Sequence, residues 1–114
     1  CLDNIASRFV LESAAKEAGI PMVSAAVAGL SGQGTTIYPQ DAGLQLIYGP
    51  KENLSSAKGA ELTLGCLPQA VGLIAAAESG EVLKILLGQE DQLLRNQMLL
   101  VDMATNTFDV LMLN

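Results

Sequence analysis

From Asp3 to Ala18 the apolar residues Ile5, Ala6, Phe9, Val10 and Ala14 recur at helical spacing, while Glu12 and Lys16 sit four apart on the polar side. The run "GIP" at Gly19 to Pro21 stops this pattern, so an amphipathic helix is predicted that starts at Asp3 or Asn4. "PMVSAAVAG" has the small and β-branched content of a buried strand. The glycines of "GLSGQG" predict a turn, and "TTIYP" a second strand. A third stretch, "LQLIYG", alternates less cleanly and reads as an edge strand.

"PKENLSSAKGAELTLG" is polar, turn-rich and without a sustained period, which predicts a long surface loop. In "GCLPQAVGLIAAAESGEVLKILLG", Pro68 suits the first turn of a helix and Gly88 the position after its last. On that helix Glu78, Glu81 and Lys84 fall three apart in a narrow polar stripe, and apolar residues take most of the remaining circumference. Such a helix is buried or lies in an interface. "NQMLLVDMATNTFDVLMLN" predicts a terminal hairpin turning at "MATNT". Helix, strands, loop, helix and hairpin make an α+β or α/β unit with exposed sheet edges, a form expected of half of a larger sheet.

Composition narrows the function classes. With 114 residues, half of them apolar, the chain supports one core, so residues 1–114 are expected to form a single domain. Twelve acidic against six basic residues give a net charge of −6, which argues against nucleic acid or an anionic membrane as partner. No apolar run reaches the roughly 20 residues of a membrane span, and no leader pattern opens the chain, so a cytoplasmic location is expected. Cys1 and Cys66 have no CxxC spacing and there is no histidine, which argues against a zinc site and against Ser-His or Cys-His nucleophiles. A disulfide between the two stays open. The remaining chemistry rests on carboxylates, lysine, arginine and backbone amides.

"LDNIASR", "AGIPMVSAAVAGLSGQGTTIYP", "GCLPQAVGLIAAAESGEVLKILLG" and "LLVDMATNTFDVLMLN", in that order and covering nearly the whole chain, resemble the C-terminal half of the ThiF/MoeB/HesA family of ubiquitin-activating-enzyme-like adenylyltransferases. The resemblance implies the C-terminal half of a Rossmann-like α/β fold with two main helices, a mixed sheet and the terminal hairpin. It also implies ATP- and Mg²⁺-dependent adenylation of the C-terminal glycine of a ubiquitin-like or sulfur-carrier protein, by a homodimer. Thiamine, molybdopterin and other sulfur-transfer routes are not separated by these residues.

On this resemblance Asp3 is the carboxylate that helps place Mg²⁺ and nucleotide, and Asn4 belongs to the same motif. Position alone reads Asp3 or Asn4 as a helix N-cap, a role compatible with the other. Arg8 and Gln33 match supporting residues of the family; their plain alternatives are a solvated helix-face arginine and a polar turn residue between glycines. No cysteine stands near "DAGLQLIYG", where many members begin a zinc site, so no zinc is expected. Cys66 lies about five residues beyond the position at which some members carry a reactive cysteine, and reads rather as a small apolar residue at the start of a helix. The family's GxGxxG turn and its ATP-contacting basic residues have no counterpart here. The chain is therefore expected to begin just after a break from a nucleotide-binding half, and to bind no nucleotide alone. Either it is the C-terminal segment of an adenylating enzyme, or it is a non-catalytic fold-mate used for assembly or carrier binding.

Overall fold

The computed structural model describes residues 2–50, 52 and 64–113, so the loop predicted over residues 50–65 lies almost wholly outside the described residues. Helix α1 (Ile5–Ala18) begins where the Asn4 side chain accepts the Ser7 N–H, and it ends at Gly19, whose φ of 72° allows its N–H to reach the Ala15 and Lys16 carbonyls. Strands β1 (Met22–Ala28) and β2 (Ser31–Ile37) follow, then a one-turn helix α2 (Gln45–Tyr48) and the long helix α3 (Pro68–Leu86). A short 3-10 turn at Glu90–Gln92 leads into β3 (Gln97–Asp102) and β4 (Thr107–Met112), the expected terminal hairpin.

The four strands lie in the order β1-β2-β3-β4, every neighbour antiparallel. The sheet is thus not the mixed one expected. Two tight turns make β1–β2 and β3–β4 antiparallel by necessity, and parallel pairing among the described residues is confined to the isolated bridges Gly29↔Cys66 and Thr36↔Arg95.

Two further expectations are corrected. "GLSGQG" is not a turn as a whole: the turn is Gly29-Leu30, with Gly29 at φ 60° in the position where a two-residue hairpin favours glycine, and Ser31–Gly34 belong to β2. "LQLIYG" is not an edge strand but the helical turn α2. Gly43 and Gly49, at φ 72° and 80°, turn the chain on either side of it, and the Leu44 N–H is held by Glu12 Oε2 at 2.7 Å.

α3 lies across β1 and β2. On that face Gly32 leaves room for Ile74 of α3, since a Cβ there would collide with the isoleucine, and Val101 pairs with Gly32 in the register and is buried beside it. The opposite face carries the cluster Phe9, Ala15, Met22, Ile37 and Leu44, with Ile5 and Tyr48 against it. At roughly 1.5–3 kcal/mol for each fully buried large side chain, these two clusters are the main source of stability. β3 and β4 extend beyond α3, so Phe108, Val110 and Met112, on the same face as Val101, are exposed. No helix among the described residues is long and apolar enough to cross a membrane.

Candidate functional site

The segment before α1 is held by three side chains. Asn4 caps the helix through its Oδ1, 2.7 Å from the Ser7 N–H, and its Nδ2 donates to Asp3 Oδ1 at 3.1 Å. Arg8, one turn into α1, donates from Nη2 to the Leu2 carbonyl at 2.9 Å and from Nη1 to the Ala25 carbonyl of β1 at 2.6 Å. The cap is therefore Asn4, which leaves the Asp3 carboxylate at the surface. Arg8 is no free surface cation: it ties the residues around Asp3 to the outer edge of the sheet.

Gln33 stands one strand further in, paired with Ala26, and its Nε2 donates to Tyr48 Oη at 3.2 Å. The structure thus gathers Asp3, Asn4 and Arg8 at one end of α1, and places Gln33 within β2 rather than in a turn. Asp3 suits a hard cation such as Mg²⁺, which commonly takes one or two protein carboxylates and completes its shell with water and phosphate oxygens. Among the described residues no group of three or more His, Cys, Asp or Glu is close enough to hold a metal by itself. The exposed Asp3 carboxylate could supply one ligand of such an ion, and the described residues supply no others around it.

Cys66 departs from its expected packing. It stands at the start of α3 as foreseen but is exposed, and the backbone on either side of it is fastened to the β1–β2 turn by Gly29 N–H to Gly65 O and Leu67 N–H to Gly29 O. Its thiol points at the Val27 carbonyl, 3.5 Å away.

Two polar networks escaped the sequence reading. Glu81 of α3 is buried: its Oε2 accepts the Thr36 hydroxyl at 2.6 Å and the Leu94 N–H at 2.8 Å, and its Oε1 accepts Lys84 Nζ at 3.1 Å. Burial pushes this carboxyl upward, but the three donors outweigh it and hold the group below the usual carboxylate range. Asp41 takes a two-pronged bond from Arg95, with Nε at 2.9 Å from Oδ2 and Nη2 at 2.9 Å from Oδ1, and this bond sets its carboxyl below its ordinary value against the opposing effect of burial. The Arg95 guanidinium also lies 4.4 Å from the centre of the Tyr38 ring. Spacing along the chain could show that Glu81 and Lys84 share a helix face. Nothing local could show that Thr36 meets them.

Beside Glu81, a cleft of about 540 Å³ opens between α3 and the uncovered part of the sheet, lined by Ala77, Gly80 and Lys84 on the helix and by Leu99 and Val110 on the strands.

The family profile described as the ThiF family matches residues 1–114. The chain is also similar to the SAMP-activating enzyme E1 of Haloferax volcanii, with 30% identity over 109 residues, which cover 94% of this chain and 39% of that protein. The chain thus spans about two fifths of the curated relative that it matches.

Proposed function

The chain belongs to the ThiF family, and from that premise we propose that it is the C-terminal segment of an enzyme that adenylates, with ATP, the C-terminal glycine of a ubiquitin-like or sulfur-carrier protein, working as a homodimer. The observation that carries this reading is the Asp3 carboxylate, exposed just before α1, which accepts a hydrogen bond from Asn4 while Arg8 holds the adjoining Leu2 carbonyl.

In adenylation the carrier carboxylate attacks the α-phosphate and pyrophosphate leaves, so the site must offset negative charge that develops on phosphate oxygens. Mg²⁺, when bound, supplies that charge. Asp3 is the residue of this chain that would hold it. Arg8 keeps the Leu2 backbone in place, so that Asp3 meets its ligand without first being ordered, a positional gain of the kind that a preorganised site needs. The nucleotide's phosphate cradle and basic contacts come, in this reading, from a part of the polypeptide other than residues 1–114.

The test is ATP–pyrophosphate exchange by the full-length polypeptide with its carrier. Asp3→Ala should lower exchange by about two orders of magnitude, with the carrier's affinity little changed and the helix cap intact. Exchange at the wild-type rate would remove Asp3 from the chemistry. A second reading, a carrier-binding or assembly module without catalysis, predicts carrier binding with no exchange by the full-length polypeptide.

A further inference from the structure

Two neutral polar side chains hold each other on the sheet face that carries Phe9 and Leu44. Gln33 of β2 shares that face with Ile37 by the alternation of the strand, and its Nε2 donates to the hydroxyl of Tyr48 in α2 at 3.2 Å. In the register Gln33 stands between Ala26 of β1 and Leu100 of β3, so its neighbours across the strands are aliphatic and offer nothing to the rest of its carboxamide. The tyrosine oxygen is the acceptor in the bond between the two. Its own proton is therefore left to donate, and Gln33 Oε1 is left to accept. Among the described residues no other hydrogen bond involves the side chain of either residue.

The pair is set in place by its surroundings. α2 is a single turn, and isolated helices of that length do not persist in water. The buried carboxylate of Glu12 fastens its start through the Leu44 N–H, at a turn where a Cβ on Gly43 would run into that carboxylate. Tyr48 then packs edge-on against Phe9, with ring centres 6.4 Å apart. Phe9 follows Arg8, the residue that holds the Leu2 carbonyl beside Asp3. α1 rises about 7.5 Å from Asn4 to Phe9, so with the ring contact the pair stands on the order of 8–14 Å from the Asp3 end of the helix. An extended chain covers that distance in about two to four residues.

We infer that Gln33 and Tyr48 form a docking point for the backbone of the carrier's C-terminal tail, about two to four residues before its terminal glycine. This rests on the preceding reading of the carrier as substrate, and adds where and by which groups its tail is held. The N–H and C=O of one residue in an extended chain point to the same side, as in the bonded pairs of an antiparallel ladder. Gln33 Oε1 accepts that N–H, and the Tyr48 hydroxyl donates to that C=O. Both side chains are half-buried, so a slender extended chain reaches their polar ends more readily than a broad folded surface does. The pair is uncharged and bonds to backbone alone, so it sets the course of the tail toward Asp3 without depending on the tail's side chains.

The experiment uses the full-length polypeptide and the ubiquitin-like protein of its source organism that supports ATP–pyrophosphate exchange. Tyr48→Phe removes the hydroxyl and keeps the ring against Phe9, and Gln33→Leu removes the amide at similar volume. Each should raise the carrier's KM about three- to tenfold, the worth of one neutral hydrogen bond, with the KM for ATP and the unfolding temperature unchanged. The double variant should lose little beyond either single one, because each residue holds the other. A carrier truncated before the docked residues, added as competitor, should inhibit wild type and Tyr48→Phe to the same degree. Absence of exchange with every ubiquitin-like protein of that organism overturns the adenylation reading and this inference with it. Exchange whose carrier KM neither substitution moves overturns the inference alone. An equal rise in the KM for carrier and for ATP does the same, since it marks a general distortion of the fold. Unequal inhibition by the truncated carrier also overturns it, by placing the contact on the carrier's folded body. A lowered unfolding temperature with an unchanged carrier KM shows that another part of the same polypeptide covers the pair, and is equally fatal to the inference.

Discussion

Gly32 shows how much a single missing side chain can position. It lies in the middle of β2, and a Cβ there would run into Ile74, the buried anchor of α3. Gly32→Ala should therefore cost about 1–3 kcal/mol by overpacking. Ile74→Val, which alone should cost about 0.5–1.5 kcal/mol, should recover part of that loss in the double variant. Urea unfolding of the four proteins in the cycle measures the coupling, and strictly additive effects would show that helix and strand do not touch as described. At this scale the sequence was partly legible. The helix cap could be narrowed to Asp3 or Asn4 because capping is a local pattern, and the structure gives it to Asn4. The glycines of "SGQG" could not be read correctly, because a glycine that allows a turn and one that allows close approach look the same until the residue approaching it, 42 positions away in the case of Ile74, is known.

Elements are joined by carboxylates as much as by apolar contact. Glu81 links α3 to β2 through Thr36 and to the approach of β3 through Leu94, while Asp41 and Arg95 link the segment after β2 to the start of the terminal hairpin. Both carboxyls are held below their ordinary values in the fold. A carboxylate depressed by folding contributes stability that is fully present above its unfolded pKa, about 4, and that is lost as pH falls through the folded value. The denaturation midpoint should accordingly be flat from neutral pH down to about 5 and fall steeply below about 4. Glu81→Gln should flatten that fall. It should also cost about 1–3 kcal/mol at neutral pH, because the amide cannot accept from both Thr36 and Leu94 and still face Lys84 as the carboxylate does. An acid limb of unchanged slope in Glu81→Gln would exclude this carboxyl as its source. The periodic elements, α1, α3 and the terminal hairpin, were legible from pattern and punctuation. α2 was not, since a helix of one turn is too short to display a period, and its form is imposed by the glycines at each end and by Glu12 from α1.

For the whole molecule, the sheet's exposed flanks were foreseen from the order of elements, and the structure shows where they lie: at β1, whose Ala25 carbonyl Arg8 occupies, and along β4, exposed throughout its length. The antiparallel run of all four strands was not legible, because nothing in a strand's own residues states which neighbour it will take across a connection as long as the one from β2 to β3. That connection also bears on how the chain reaches its native state. β1 pairs with β2, and β3 with β4, across short turns, whereas the β2–β3 seam joins Ser31 to Asp102. Short hairpins form in about 1–10 μs, but a seam between distant segments must first meet the entropy of closing the intervening loop. The two hairpins are local in sequence, and the seam is the pairing that carries the larger loop-closure cost. Until it closes, β2 and β3 each offer a bare edge to any other chain. In the finished molecule Glu81 of α3 joins Thr36 of β2 to Leu94 on the approach to β3, so the crossover that separates the two hairpins in sequence also supplies a polar tie between them.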